Sequence, residues 1–312
     1  MKIAVLDDYQ NIALTTADWS SIPGNPEIRV FNDHVSGLEL LVQRLLPYDA
    51  LCIMRERTPM TAALLDRLPN LKLIASTGSR NAAIDLEAAK RRAIDVRHTG
   101  YSAAPTIEFT WALILALARN LTLENASLRN GGWQVAVGAD LHGKTLGVLG
   151  LGNIGSRVAA IGRAFGMNVI AWSQNLIREK AEAAGARLVS KDELFREADI
   201  LTIHLVLSAR SRGTVGKSEL GLMKPTSFLI NTARGPIVDE EALIEVLTNR
   251  KIAGAAIDVF DREPLPAEHP FRHLSNVLAT PHLGYGTWSL YNVFYQDTVT
   301  NIKAWISEKG LE

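Results

Sequence analysis

The stretch Thr145-Leu146-Gly147-Val148-Leu149-Gly150-Leu151-Gly152-Asn153-Ile154-Gly155 decides the fold. Residues 145–149 have the length and apolar character of a strand, and they run straight into G-x-G-x-x-G at Gly150, Gly152 and Gly155. A helical pattern then continues through Phe165. A lone motif of this kind is often only a turn, but between a strand and a helix it is the signature of a phosphate cradle. The first glycine permits the tight turn, the second lets backbone approach a pyrophosphate, and the third lets helix and strand pack closely. The phosphates then sit on the helix N-terminus, at Asn153 and Ile154.

Downstream, apolar runs predict strands at 168–172, 200–204, 228–231, 253–258 and 277–280, which with 145–149 makes six, the number of a full dinucleotide fold. Ser190 and Glu193 form a capping box for one intervening helix. Upstream, strands are predicted at 3–6, 28–31, 50–54, 71–76 and 94–98, separated by amphipathic stretches at 37–46 and 86–92. Such a βαβ rhythm implies an α/β fold, a parallel sheet with helices on both faces. Residues 106–120 are apolar all round, as befits a helix between packed layers. Residues 289–306 are amphipathic, with Trp288, Phe294, Tyr295 and Trp305 on or near an apolar stripe. That helix lies beyond the last strand and is expected to return to the first sheet.

The chain has 312 residues, about twice a usual domain, so two domains are expected. At 47% hydrophobic and 21% charged it is ordinary for a globular protein, not for a disordered or collagen-like one. Thirty-three Lys and Arg balance thirty-three Asp and Glu, which leaves no electrostatic footprint for nucleic acid or an anionic membrane. The one cysteine, Cys52, sits in an apolar run and reads as an inert strand thiol. Residues 2–8 predict a strand ending in acids rather than a signal peptide, and the longest apolar run, 111–118, is too short to span a bilayer. The expected compartment is the cytoplasm, with no membrane, nucleic-acid or metal partner.

Ser173 stands where the fingerprint expects an acid about 20 residues on to bind the ribose diol. A neutral hydroxyl does not repel a 2′-phosphate, so NAD or NADP is permitted. Arg178 is close enough in sequence to help, or else is a solvated surface ion. Three further polar residues follow predicted strands: Arg234 in Asn231-Thr232-Ala233-Arg234-Gly235, Glu263 before Pro264, and His282 in Thr280-Pro281-His282-Leu283-Gly284. In open α/β sheets the carboxyl ends of strands line the ligand crevice, which lets these three meet there. Taken singly, Arg234 and Glu263 also read as surface ions and His282 as a helix cap.

The order and spacing of the glycine motif, Arg234, Glu263 and His282 resemble the D-isomer-specific 2-hydroxyacid dehydrogenases, most tightly from Gly143 to Gly284. The resemblance implies a Rossmann domain at 100–284 inserted into a flavodoxin-like substrate domain made of 1–99 and 285–312. It implies a homodimer, with residues 108–129 contributing to the interface. It assigns Arg234 to the substrate carboxylate and carbonyl, His282 to acid–base work, and Glu263 to holding the other ring nitrogen and favouring the charged ring. Asp258 resembles the residue that holds the nicotinamide carboxamide, and Thr232 and Ala233 resemble backbone contacts beside the ring.

The chain departs from the family pattern at Gly78-Ser79-Arg80-Asn81-Ala82-Ala83, where amides of Ser79 and Arg80 remain suited to a carboxylate. Arg80 there favours a second anionic group on the substrate or faces solvent, and Arg55 resembles a substrate-domain arginine. Tyr285 and Trp288 stand where relatives have small residues, and packing is the expected role of Trp288. His204 is expected to be scaffold, and Val206 replaces a common proline. The expected activity is NAD(P)-dependent interconversion of a D-2-hydroxy acid and a 2-oxo acid, mainly as a reductase. A short phosphoglycerate dehydrogenase is the alternative within that class. A nucleotide-sensing binding protein or corepressor on the same scaffold is the alternative outside it.

Overall fold

Strands β1 (Lys2–Val5), β2 (Glu27–Val30), β3 (Ala50–Ile53), β4 (Leu73–Ser76) and β5 (Asp95–His98) pair in parallel in the order β2-β1-β3-β4-β5. This is the flavodoxin-like order. Every residue of β3 and β4 is buried, which is why their sequences read as continuous apolar runs and not as alternation. Cys52 lies within β3, and burial pushes its thiol up, so it stays protonated and inert. The helix Trp288–Lys309 packs onto the same unit. Trp305 Nε1 donates to Asp95 Oδ2 at 2.7 Å, Asn301 Nδ2 to the carbonyl of His98 at 3.0 Å, and the Gly100 amide to Asp297 Oδ2 at 2.7 Å. Phe294, Tyr295 and Trp305 are buried as expected, but Trp288 is 68% exposed. It opens the helix directly after the Thr287 cap, and the buried stripe begins only at Leu290 and Tyr291.

In the computed structural model, which describes residues 1–310, this unit comprises Met1–Ser102 and the chain from Gly286 onward, and a second unit comprises Ala103–Tyr285. Residues 311 and 312, assigned by the sequence to the substrate domain, lie outside the described residues.

The second unit carries β6 (Thr145–Leu149), β7 (Asn168–Trp172), β8 (Arg187–Leu188), β9 (Ile200–Ile203), β10 (Phe228–Asn231), β11 (Gly254–Ile257) and β12 (Val277–Ala279). They pair in parallel in the order β12-β11-β10-β9-β6-β7-β8, a Rossmann sheet with one extra strand. The sheet thus has seven strands where the sequence predicts six. The missing strand, β8, is two residues long, pairs only with Ile170 and Ala171, and has no apolar run to announce it. Chain order reverses between β6 and β9, so the loops leaving these strands flank the crevice in which such sheets bind ligands.

The apolar helix Ala104–Ala118 starts with proline in its first turn, where a missing N–H costs nothing, and buries Ile107, Trp111, Leu113 and Ile114. Among the described residues no single helix is long and apolar enough to cross a membrane; this helix and Leu121–Arg129 pass that test only as a pair bent by 63°.

Candidate active site

The glycine motif separates structural demands from ligand demands. Gly150 has φ +102°, and a Cβ there would sit 2.8–2.9 Å from backbone atoms of His204 and Leu205. A Cβ on Gly155 would collide with the carbonyl oxygen of Gly150. Both positions are therefore fixed by packing. At Gly152 a Cβ would meet nothing within 4 Å, so among the described residues no neighbour demands glycine there. What a Cβ would fill is the space over the start of helix Asn153–Ala164. Gly152 gives that helix no side-chain cap, and among the described residues the amides of Asn153, Ile154 and Gly155 donate to no acceptor. Three amides at the positive end of a helix dipole suit a pyrophosphate.

Past β10, Asn231 organises the loop that carries Arg234. Its buried side chain accepts from the Ala233 amide at 3.0 Å and donates to the Arg234 carbonyl at 3.1 Å. Arg234 Nη1 donates to the Ala233 carbonyl at 2.7 Å, and Thr232 Oγ1 lies 2.8 Å from Thr110 Oγ1. A Cβ on Gly235 would collide with the backbone of Phe260 and Asp261, so this loop is seated directly on the one that leaves β11.

Glu263 belongs to that neighbouring loop. Its Oε1 accepts from the Phe260 amide at 3.0 Å, and its Oε2 lies 2.6 Å from Nδ1 of His282. His282 follows β12 with φ +54°, a left-handed turn uncommon for a non-glycine residue, which it shares with such loop residues as Ala93 and Asn120. It caps no helix. The buried carboxylate of Asp258, one residue past β11, holds the histidine loop from both sides. It accepts from Thr280 Oγ1 at 2.6 Å and from the amides of Leu283 and Gly284 at 2.8 Å each. Burial pushes its carboxyl up, and these donors act in the opposite direction. The buried Tyr285 ring meets the imidazole edge-on at 5.9 Å. Arg234, Glu263 and His282 thus leave the carboxyl ends of three adjacent strands. The support given by Asn231 and Thr280 is not visible in sequence, where both read as ordinary strand-end polar residues.

Other expected residues fall in different surroundings. Ser173, the first residue past β7, lines a surface groove, but Arg178 lines a separate depression with Gly185, Arg187 and Leu188. The turn in which Leu176 N bonds the Ser173 carbonyl precedes Arg178, which opens the next helix beside β8. His204 Nε2 lies 2.9 Å from Thr202 Oγ1, and burial pushes its ring down to about 3, leaving a neutral scaffold residue.

In the first unit Gly78 has φ +86° and donates its amide to Thr99 Oγ1 at 2.7 Å, while Asn81 Nδ2 bonds the Arg55 carbonyl at 2.5 Å. Among the described residues the Ser79 and Arg80 amides donate to nothing, and the Arg80 side chain is exposed. The Arg55 guanidinium lies over the Tyr101 ring, 5.1 Å from its centroid.

A phosphate cradle at the switch point of a Rossmann sheet defines a dinucleotide-binding protein. Residues 111–284 match the family model described as the D-isomer specific 2-hydroxyacid dehydrogenase NAD-binding domain. A glyoxylate reductase from Aeropyrum pernix is 45% identical over 234 residues, 72% of this chain and 70% of that one. A D-3-phosphoglycerate dehydrogenase from Methanocaldococcus jannaschii is 39% identical over 80% of this chain, which spans only about half (48%) of that longer relative. The solved phosphoglycerate oxidoreductase from Vibrio cholerae O395 superposes with a TM-score of 0.93 at 39% identity, covering 99% of both chains. The chain belongs to the D-isomer specific 2-hydroxyacid dehydrogenases, oxidoreductases that act on CH–OH donors with a nicotinamide cofactor.

Proposed function

We propose that the enzyme reduces a small 2-oxo acid to the D-2-hydroxy acid, with Arg234, Glu263 and His282 as its reacting set. The 2.6 Å contact between Glu263 Oε2 and His282 Nδ1 carries this reading. A carboxylate on Nδ1 fixes the ring and commits Nε2 to the proton that the substrate oxygen exchanges. Arg234 presents a planar guanidinium that binds the substrate carboxylate and polarises the adjacent carbonyl. The Ser79 and Arg80 amides, beside Gly78, are suited by themselves to bind a carboxylate.

The cofactor is NAD or NADP, and once bound in reduced form it supplies the hydride for C2. Gly150, Gly152, Asn153, Ile154 and Gly155 hold its pyrophosphate, and Ser173 its ribose. Thr232, Ala233 and Asp258 hold its nicotinamide end. Three donors already occupy the Asp258 carboxylate, which leaves room for one more, such as a carboxamide N–H. Ala233 has its amide on Asn231 and its carbonyl on Arg234, so only the carbonyl has a lone pair left to offer.

The protein acts in the cytoplasm as a homodimer. Helix Leu121–Arg129 buries none of its residues, and Leu123, Leu128, Trp133 (73% exposed) and Val137 (97%) form an apolar surface on it and the loop that follows. Such a surface calls for a partner of the same kind. Sedimentation of wild type and Trp133→Asp tests this: a dimer that dissociates supports it, and a wild-type monomer removes it.

The test of the activity is a panel of 2-oxo acids, glyoxylate and hydroxypyruvate included, assayed with NADH and NADPH separately and followed by chiral analysis of the products. A D-configured product from a prochiral acid is expected. Stoichiometric cofactor binding with no turnover on any acid would leave a nucleotide sensor in its place.

A further inference from the structure

Ser173 follows directly on β7, where an acid would take both hydroxyls of an unphosphorylated ribose and repel a phosphorylated one. The strand order puts β7 on one side of β6 and β9 on the other, so the loops leaving β7 and β9 face each other across the glycine cradle. A groove runs between them. Ser173, Gln174 and Asn175 form one wall, and Leu205, Ser208 and Arg210 stand on the other. Among the described residues the groove lining contains no carboxylate, and its one charged side chain is Arg210.

The loop that carries Arg210 is braced from within. Buried Ser211 accepts the Ser208 amide at 2.8 Å through Oγ and donates to the Val206 carbonyl at 2.7 Å, and the Arg212 amide bonds the Ser208 carbonyl at 3.0 Å. Backbone on both sides of Arg210 is therefore held while its side chain stays exposed in the groove. A fixed loop with one exposed guanidinium, opposite a hydroxyl and two amides, is built for an anion.

We propose that Arg210 and Ser173 together form a 2′-phosphate site, and that the enzyme selects NADPH over NADH. This rests on residues 150–155 binding a dinucleotide and assigns the groove beside them to the adenosine ribose. The phosphate dianion takes a charge-assisted, two-pronged contact from the guanidinium and a hydrogen bond from the Ser173 hydroxyl. The ribose of NADH gains neither the charge nor the carboxylate partner it would otherwise use. A charge-assisted contact of this kind corresponds to about 10-fold to 100-fold in affinity.

The test is equilibrium binding, independent of turnover, of NADPH, NADH, 2′,5′-ADP and 5′-AMP to the full chain by calorimetry. Wild type is expected to bind NADPH and 2′,5′-ADP about 10-fold to 100-fold tighter than NADH and 5′-AMP. Arg210→Ala is expected to erase that gap by weakening only the phosphorylated ligands. Arg210→Lys should keep part of it, and Arg178→Ala all of it. Ser173→Asp should reverse the preference. Equal wild-type affinity for both cofactors, or an Arg210→Ala variant that weakens both alike, overturns the assignment. If wild type binds none of the four ligands, the dinucleotide cradle itself is refuted and the 2′-phosphate site falls with it.

Discussion

Asp258 Oδ2 accepts the Gly284 amide at 2.8 Å while its Oδ1 accepts from Leu283 and Thr280, so one buried carboxylate carries the backbone on which His282 sits. Asp258→Asn turns one of those acceptors into an N–H₂ group facing a backbone N–H. Hydrogen bonds to a charged group contribute about 1.5–3 kcal/mol each, so a stability loss of that order is expected. Turnover should fall with it, because the left-handed turn at His282 loses its anchor. Denaturant melts and steady-state kinetics check this, and an Asn variant with normal stability and normal turnover would remove Asp258 from the site.

Gly152 and Gly155 should respond oppositely to alanine. Gly155→Ala puts a methyl into the Gly150 carbonyl and is expected to destabilise the unit before any ligand is added. Gly152→Ala meets no neighbour, so the protein should melt normally yet bind dinucleotide weakly. Thermal melts with and without cofactor separate the two. A Gly152→Ala protein that binds cofactor as tightly as wild type would argue against a pyrophosphate at this turn.

Arg234→Lys keeps the charge but loses the planar fork to which we assign both the hold on the carboxylate and the polarisation of the carbonyl. The expected outcome is a higher KM together with a lower kcat. A change confined to KM would mean that Arg234 binds substrate without acting on the transition state.

Glu219 gives a stability prediction far from the chemistry. Burial works to raise its carboxyl, but hydrogen bonds from Lys191 Nζ at 2.8 Å, the Gly216 amide at 2.9 Å and Ser218 outweigh it and hold it down to about 2. A folded value below the unfolded one stabilises the fold above about pH 4.5, and that contribution is lost as pH falls toward 2. Glu219→Gln should therefore cost roughly 2–3 kcal/mol at neutral pH and progressively less in acid. Melting curves of both proteins across that range should converge at low pH; a constant gap would contradict the linkage.

Strands that are buried on both faces, such as β3, β4 and β6, were legible because burial on both sides leaves an uninterrupted apolar run. Arg187–Leu188 was not, since two residues at a sheet edge carry no periodicity. The glycine motif was legible because a turn, a packing contact and a ligand approach each restrict residue type at fixed spacing. Of the two readings open for Arg178 the surface one holds, because sequence proximity to Ser173 does not survive the turn at Leu176, whereas Arg210 is 37 positions away from Ser173 and reaches the same groove through strand order. The clamp by Asp258 on Leu283 and Gly284 depends on backbone amides, which every residue has, so no side-chain pattern announces it.

In the proposed reaction the pair Glu263 and His282 moves the proton that accompanies hydride transfer. The most direct measurement is consumption of reduced nicotinamide in the presence of a 2-oxo acid, compared between wild type, His282→Ala and Glu263→Gln, with cofactor binding measured in parallel. Wild type should turn over. His282→Ala should lose about 100-fold to 10,000-fold in rate, the usual contribution of a positioned proton donor, and Glu263→Gln should lose less. Both variants should bind cofactor as wild type does. Unchanged turnover in His282→Ala would contradict the account and leave the 2.6 Å pair as a structural contact.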